Sequence, residues 1–515
     1  MKSKGKKSLL NFTVSILNKV AVIAVGLIIP KLFITSYGSE LNGLQASVRQ
    51  IFTYIALLEA GVGASTLQML YRPVAQNDHK TANAYLSATS IYYNRIGVAY
   101  FAILFLMSVF YSAVIPVTDL KRWQVLAYIL VSGAVTGINF FYIAKIKLVI
   151  SAEGDMFLVS LVTLITYVLS SAMKVLLIYS GVQIILIEAI HLLINFGTTG
   201  CYYLIARKKY PWLSFKEKPD FSCTEQKRAV LIHRITSVVF QNVDVLILTA
   251  FCSLQIVSIY TMYKLVVNMI VSITGAVCDS VNFIFGQEFN LETDPEKPKY
   301  RRLIDTFNVY YSAMAMGLYT VVYILILPFL RLYTDGMDVN YIYPVVPALY
   351  VLIEFLLVGR EAMVRTIDVA GHYRKTQWRA VVETIINLTA SVVFALLFKP
   401  WFGEIGVLYG VLTGTICALL YRTLDIVIYA NKRILHRTPW QTLGIMGQNL
   451  LIFCGMICLF NLFTIRIDNY GQFILHGCWI TAGMLTVYCT VHSLIHPKEA
   501  GYILNYLKKR FLKLY

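Results

Sequence analysis

The sequence predicts an all-α polytopic membrane protein with about 14 transmembrane helices. About fourteen apolar stretches of near twenty residues follow one another along the chain, and each is long enough to cross the hydrocarbon core as a helix. The chain is 58% hydrophobic and 14% charged, so it has too little polar surface for a soluble protein of 515 residues. Its Lys and Arg are concentrated in alternate loops, as in membrane proteins of fixed orientation.

All the spans should be helical, because an open strand edge would leave backbone polar groups unsatisfied in hydrocarbon. They are expected at about 9–34, 43–70, 87–116, 123–146, 156–180, 182–206, 229–251, 255–285, 303–330, 341–369, 377–398, 404–430, 441–464 and 471–495.

The basic residues favour one set of loops over the other by roughly six to one. The richer set includes both ends of the chain, so both termini are expected in the cytoplasm and the protein in the inner membrane. Basic flanks that face anionic lipid also account for most of the formal net charge of +18. The charge therefore does not indicate nucleic-acid binding.

The longest polar stretch, residues 207–228, carries seven Lys and Arg and divides the chain. It is expected to be a cytoplasmic linker between an N-terminal six-helix lobe at 1–206 and a C-terminal six-helix lobe at 229–433. Two extra spans occupy 434–496. The tail, 497–515, places its apolar residues on one helical face and its basic residues elsewhere, which predicts an amphipathic helix on the cytoplasmic leaflet.

Several function classes are unsupported by the sequence. The outward loops are all short, and neither a Walker A pattern nor a dinucleotide-type GxGxxG occurs. The eight His and nine Cys show no spacing typical of a metal site. We therefore expect a protein that is not an enzyme, with no metal and no cofactor other than H⁺ or Na⁺ as a coupling ion.

Function is expected from charged residues inside the spans. Each costs at least roughly 2.5–3.5 kcal/mol near the bilayer centre, so their number predicts a water-filled interior. In the tenth span Glu354, Glu361, Arg365 and Asp368 fall on one helical face. The last three could form an ion-paired ladder that only neutralises itself, and this alternative stays open. Glu354 has no such partner on its own helix.

Residues 28–88 contain a motif series with a recognisable order. A Pro and a basic residue end the first span, a G-x-E-x-x-G-L turn follows, and an acidic residue precedes two glycines in the second span. The series resembles the opening of the bacterial polysaccharide flippases, the O-antigen and teichuronic-acid exporters. The matching residues are Pro30, Lys31, Gly38, Glu40, Gly43, Leu44, Glu59, Gly61 and Gly63. Asn242, Asp244, Ser258, Tyr260 and Tyr263 are similar to later motifs of the same family.

The resemblance implies membership of the multidrug/oligosaccharidyl-lipid/polysaccharide exporter superfamily. It implies two six-helix lobes around a central cavity, plus two peripheral helices. The lobes are expected to alternate between inward-open and outward-open forms. The implied substrate is an oligosaccharide on undecaprenyl pyrophosphate, of O-antigen, capsule or teichuronic-acid type, moved to the outer leaflet of a bacterial inner membrane. Membrane lipid is a second expected partner; binding to glycan polymerases and assembly proteins stays open, and no nucleic acid is expected.

Cations inside the spans suit a pyrophosphate, which would need counter-charges to enter the membrane. The candidate substrate-binding residues are Arg49, Arg95, Arg234, Lys264 and Arg365. The candidate coupling carboxylates are Glu354 and Asp279, followed by Glu59 and Glu361. Tyr92, Tyr93, Tyr260 and Tyr263 are candidates for stacking on sugar rings, although packing and interfacial belts explain most aromatic residues.

Three alternatives stay open. A multidrug exporter of the same superfamily would share the fold but should have a net acidic cavity. A lipid II flippase would share the cationic cavity. A scaffold for glycan assembly that transports nothing is the third.

Overall fold

The computed structural model describes residues 2–59, 62–115, 117, 120–224, 242–292, 294, 297–462 and 467–503. Within this part of the chain the regular structure is entirely helical, and ten helices are long and apolar enough to cross a membrane. The prediction of an all-α polytopic membrane protein is confirmed.

The chain forms two compact units, Met1–Leu246 and Ile247–Tyr515. The helices of the first unit are α1 (Lys2–Ile55), α2 (Val62–Ala75), α3 (His79–Val114), α4 (Arg122–Ile138), α5 (Ala144–Ala152), α6 (Met156–Tyr179) and α7 (Ile184–Lys209). A short apolar helix, α8 (Asn242–Phe251), crosses the boundary between the units.

The second unit contains seven further helices. These are α9 (Leu254–Leu291), α10 (Pro298–Tyr333), α11 (Val345–Val369), α12 (Tyr373–Phe402), α13 (Glu404–Arg433), α14 (Trp440–Phe460) and α15 (Tyr470–Ile495). The finer division into lobes, linker, extra spans and tail stays a prediction. Most of the proposed tail helix, from residue 504 onward, lies outside the described residues.

The predicted turn between the first two spans is reduced to one residue. Gly38 has φ 82° and ψ 168°, a backbone conformation that glycine adopts without strain, and helix continues on both sides of it. The second span is in turn broken by a single turn of 3₁₀ helix at Ala56–Glu59, at the predicted acidic-glycine bend. This break places the Glu59 carboxylate between α1 and α2.

The fourth span is longer than expected. A π-helical turn at Asn139–Ile143 joins α4 to α5, so helix continues to Ala152 instead of ending near residue 146. The extra helix brings Lys145 and Lys147 into half-buried positions. The hydropathy pattern predicts an end near residue 146 because two lysines within three residues are typical of a loop.

The first half of the basic segment 207–228 packs against the helices of its own unit. The ring of Trp212 stacks on His79 at the start of α3, with 4.6 Å between centroids. The Asn83 amide donates to the Trp212 carbonyl at 2.8 Å and accepts from the Ser214 backbone at 2.9 Å. Residues 210–214 are thus held on α3; residues 225–228 lie outside the described part of the chain.

The two extra helices attach to α10 through buried polar side chains. Asn449 of α14 donates to Ser312 at 3.1 Å and lies 3.0 Å from His492 of α15. The Tyr488 hydroxyl lies 2.8 Å from that of Thr320. Such hydrogen bonds join helices where water cannot compete for the polar groups.

Close backbone contact joins α12 and α13. Gly406, Gly410 and Gly414 recur every fourth residue on one face of α13. A Cβ on Gly410 would lie 2.4 Å from the backbone nitrogen of Ala395, and one on Gly414 would lie 2.3 Å from that of Ser391. Small residues at this spacing let membrane helices approach closely.

We predict that Gly410→Ala lowers stability, because the added methyl meets backbone atoms that cannot rotate away. Overpacking of this kind costs about 1–3 kcal/mol. Thermal unfolding of the purified protein in detergent measures the change. Gly447→Ala is the matched control, because no side chain and no backbone of another helix lies within 4 Å of its added Cβ. Equal melting temperatures for the two variants would contradict this packing.

Candidate functional site

The charges inside the spans fall into two groups. One group forms ion pairs between or along helices, most of them in the second unit. The other group, Arg49 and Arg95 of the first unit, presents exposed side chains. This difference separates charges that stabilise the fold from charges that are available to a ligand.

Arg49 and Arg95 belong to the exposed group. Arg49 follows the buried Val48 on the second part of α1, and Arg95 is two residues from the buried Tyr93 on α3. Two residues correspond to about 200° around a helix, so Arg95 points away from the unit's core. Within the described residues, neither arginine has a carboxylate at ion-pair distance.

Tyrosines and one ion pair of the first unit set the electrostatic environment of these arginines. Arg49 is within electrostatic range of Tyr128 and Tyr167. A third cation, Lys174, is neutralised by the buried Glu188 at 2.7 Å. The local field is thus one of partly compensated positive charge, which favours an anion.

Glu59 lies at the break between α1 and α2. It accepts a hydrogen bond of 2.8 Å from the Tyr93 hydroxyl, and Lys147 is within electrostatic range. A Cβ on Gly63 would meet both the Glu59 carboxylate and the Tyr93 hydroxyl, at 2.7 and 2.8 Å. Gly63 therefore makes room for this contact, which explains the glycine of the motif.

Lys145 and Lys147 are cations that the sequence reasoning missed. The Lys145 ammonium donates to the Ser90 hydroxyl at 3.0 Å and lies 5.1 Å from the centre of the Phe215 ring. Lys147 lies 5.4 Å from the centre of the Tyr202 ring. The sequence contains one indication of this: apolar residues continue on both sides of Lys145 and Lys147, so the helix need not end there.

The second unit contains a polar cluster of Lys264, Tyr260, Glu354 and Tyr319. The Lys264 ammonium donates to the Tyr260 hydroxyl at 3.0 Å, and the Tyr319 hydroxyl donates to Glu354 at 2.8 Å. Lys264 is within electrostatic range of Glu354, whose side chain is buried. The sequence indicates no partner for Glu354 on its own helix. The structure supplies two on neighbouring helices, Tyr319 of α10 and Lys264 of α9.

Arg365 is paired with Glu361 one turn away, with 2.5 Å between nitrogen and oxygen. Asp368 is within electrostatic range of Arg365. The Glu361–Arg365 part of the ladder that the sequence left open is therefore formed, and it largely neutralises the charge of Arg365. As a ligand for an anion, Arg365 would first have to leave Glu361.

A larger network joins α11, α12 and α13. Glu383 accepts from Arg360 at 2.9 Å and lies 3.3 Å from Arg422. Arg422 also pairs with Asp425 at 2.7 Å, and Arg379 contacts the same carboxylate. Arg422 is buried, and it belongs to a five-residue network that joins three helices. Its helix spacing could not reveal partners on α11 and α12.

Two candidates are not described. Arg234 lies outside the described residues, and the structure describes the backbone of Asp279 but not its side chain. Their roles stay predictions.

Three of the four tyrosines proposed to stack on sugars cannot do so in this conformation. Tyr93, Tyr260 and Tyr263 are at most 1% exposed. The Tyr263 hydroxyl donates to the Tyr341 carbonyl at 2.8 Å, so it serves helix packing. The fourth, Tyr92, is half-buried against Phe221, 5.7 Å between ring centres. Sequence showed aromatic abundance but not which rings face inward.

Comparison with known structures gives the fold a family resemblance. A structure titled lipid II flippase MurJ in an inward closed conformation superposes with a TM-score of 0.61 at 12% identity, covering 95% of this chain and 99% of that one. An inward-facing multidrug resistance MATE family transporter of the MOP superfamily gives 0.60 at 15% identity, covering 82% and 98%. An outward-facing MATE transporter gives 0.52 at 16% identity, covering 82% and 96%.

These likenesses show that the fold is the one shared by MurJ and the MATE transporters. No protein-family model matches the chain, and no curated protein sequence matches it.

We predict that Glu383→Ala strongly destabilises the second unit, since it leaves Arg360 and Arg422 without their shared carboxylate. Removing one partner of a buried pair costs about 3–5 kcal/mol. The Glu361–Arg365 pair is the control: each side chain is 22% exposed, so Glu361→Ala should cost less. Thermal unfolding in detergent compares them, and an equal or smaller loss for Glu383→Ala would refute the network's role.

Proposed function

We propose that the protein is an exporter that moves an undecaprenyl-pyrophosphate-linked oligosaccharide, of O-antigen, capsule or teichuronic-acid type, from the inner to the outer leaflet by alternating access. The observation that carries the proposal is the exposure of Arg49 and Arg95 within spans, without a carboxylate at ion-pair distance among the described residues. An arginine that faces lipid in this way would be costly, so these side chains need water or an anion.

The chemistry of the substrate fits these two residues. A pyrophosphate brings about two to three negative charges into the membrane, where it needs cations and hydrogen-bond donors. A guanidinium offers several donors in a planar fork and can hold phosphate oxygens in a bidentate manner. The lipid tail can remain in the bilayer while only the headgroup and sugars cross the protein.

Transport is proposed to be coupled to H⁺ or Na⁺, which makes the carrier an antiporter. Glu354 is the leading coupling residue, because it is a buried carboxylate with one neutral donor, Tyr319, and one cation in range, Lys264. Neutralising it would change the charge balance of the cluster. One positive charge moving inward gains about 2.3 kcal/mol per 100 mV, enough to bias a two-state carrier.

A lipid II flippase is the second candidate function. It is favoured by the superposition on MurJ, which covers 95% of this chain. The superposition on the inward-facing MATE transporter covers 82%. A multidrug exporter shares the fold but carries organic cations, which Arg49 and Arg95 would repel. A scaffold that transports nothing gives no reason to keep two costly exposed charges within the spans.

The proposed location is a bacterial inner membrane with both termini in the cytoplasm. Single cysteines in a cysteine-free protein should be labelled from outside at the exposed Ser36 and Asp335, and only after permeabilisation at the exposed Lys216 and Arg433. The prediction rests on the bias of basic residues toward one set of loops. Reversed labelling at any of the four positions would overturn this orientation.

We predict that Arg49→Ala and Arg95→Ala each reduce export at least tenfold without loss of protein from the membrane, because each removes a donor for the pyrophosphate. Arg→Lys at either position should restore export only in part, since the charge returns without the planar fork. Surface polysaccharide per folded protein is measured in cells. Arg122→Ala removes an exposed arginine from the end of α4 and should be neutral. Normal export in both interior Ala variants would reject the site.

We predict that Glu354→Gln removes the dependence of flipping on ion gradients, because the amide cannot gain or lose a proton. Flipping is measured in vesicles with and without a membrane potential and H⁺ or Na⁺ gradients. Glu217→Gln, at an exposed position between α7 and α8, is the control. Full gradient dependence in Glu354→Gln would exclude this residue, and wild-type flipping that ignores all gradients would exclude coupling.

A further inference from the structure

A cavity of about 780 Å³ opens where α13 ends and α14 begins. It is remote in sequence from Arg49 and Arg95 and includes none of the candidate transport residues. Its side chains come from the last turn and a half of α13, the connecting turn and the start of α14. They include Ile428, Lys432, His436, Arg437, Thr438 and Trp440.

The cavity is graded from apolar to basic. Ile428 and Lys432 are four residues apart on α13, so they lie on the same face of the helix, with the apolar side chain deeper in the span. Trp440 opens α14 and is 75% exposed, a position typical of a membrane–water interface. An apolar wall, a cation and an interfacial indole that line one cavity match the chemical groups of a phospholipid rather than those of a soluble ion.

The charge of the cavity is positive and contains no acid among its lining residues. Arg437 is already engaged, since it pairs with Asp305 at 2.7 Å and donates to the Asn431 side chain at 2.7 Å. Lys432 is exposed and has no such partner among the described residues. The exposed His436 adds ring nitrogens beside it, and Thr438 adds a hydroxyl.

The connecting turn is held in one conformation. His436 has φ 48°, a left-handed conformation uncommon for a residue with a side chain. The Arg437 backbone nitrogen donates to the Asn431 carbonyl at 2.9 Å, on the other side of the turn. Together with the Arg437–Asp305 pair, this fixes the walls of the cavity before any ligand arrives, which lowers the entropic cost of binding.

We propose that this cavity binds the headgroup of an anionic glycerophospholipid of the surrounding leaflet, with the phosphate at Lys432 and an acyl chain along Ile428. The site is separate from the transported substrate and does not depend on the proposed function. Trp440 packs beside the glycerol region. The exposed Arg433 is adjacent in sequence but does not line the cavity, so it provides a matched control of equal charge.

The test titrates phosphatidylglycerol or phosphatidylcholine into the delipidated full-length protein in detergent and counts bound lipids by native mass spectrometry. We expect tighter binding of phosphatidylglycerol, and roughly a five-fold loss of its affinity in Lys432→Gln but not in Arg433→Gln, in line with the contribution of one basic residue near an anionic headgroup. Trp440→Ala should also weaken retention, and Trp440→Phe should weaken it less. Melting temperatures in detergent confirm that the variants are folded.

Excess inorganic phosphate separates the lipid from a free anion. It should leave bound phosphatidylglycerol in place, because the acyl chain contributes to binding. Displacement by phosphate, equal binding of the two lipids, or equal losses in Lys432→Gln and Arg433→Gln would each overturn the proposal.

Discussion

A charge inside a membrane needs either a counter-charge or water, and this requirement organises the interior of both units. In the second unit most of the requirement is met within the protein: Glu383 and Asp425 pair with three arginines, of which Arg379 is partly exposed, and Glu361 pairs with Arg365. In the first unit Arg49 and Arg95 are exposed. The same residue type is thus paired in one unit and exposed in the other, and the exposed arginines are the ones proposed to bind a ligand.

The helices that carry these charges are fixed by contacts that suit a solvent of lipid. Hydrophobic burial gains little between helices already surrounded by hydrocarbon, so close packing and buried hydrogen bonds take its place. The glycines of α13 bring its backbone against α12, and this closeness lets Arg422 reach Glu383. On the other side of the unit, Asn449, His492 and Tyr488 hold α14 and α15 on α10. The position of Arg422 therefore depends on small, uncharged residues that bring α13 against α12.

The sequence was informative where one helix decides the outcome. The helical type of the spans follows from apolar length. The kink at Gly38 and the break at Glu59 follow from the glycines of the motif series in residues 28–88. The pair Glu361–Arg365 follows from a spacing of four. The glycine stripe of α13, with the same spacing, was also readable and was missed.

The sequence was uninformative where two helices must meet. Tyr319 and Glu354 are 35 residues apart, and Asn83 and Trp212 are 129 residues apart, so no local spacing connects them. The burial of Tyr260 and Tyr263 likewise depends on which faces neighbouring helices cover. Hydropathy also predicted too early an end for the fourth span, because Lys145 and Lys147 lower the local hydropathy although helix continues through them.

Recognition of a pyrophosphate by the exposed arginines of the first unit can be measured directly. The measurement compares the affinity of the purified protein for undecaprenyl pyrophosphate, undecaprenyl monophosphate and a lipophilic organic cation, in the wild type and in an Arg49→Ala/Arg95→Ala variant. We expect that the pyrophosphate binds most tightly, that salt weakens its binding, and that the double variant loses this preference. Tighter binding of the organic cation, or a preference for pyrophosphate that survives in the double variant, would contradict it.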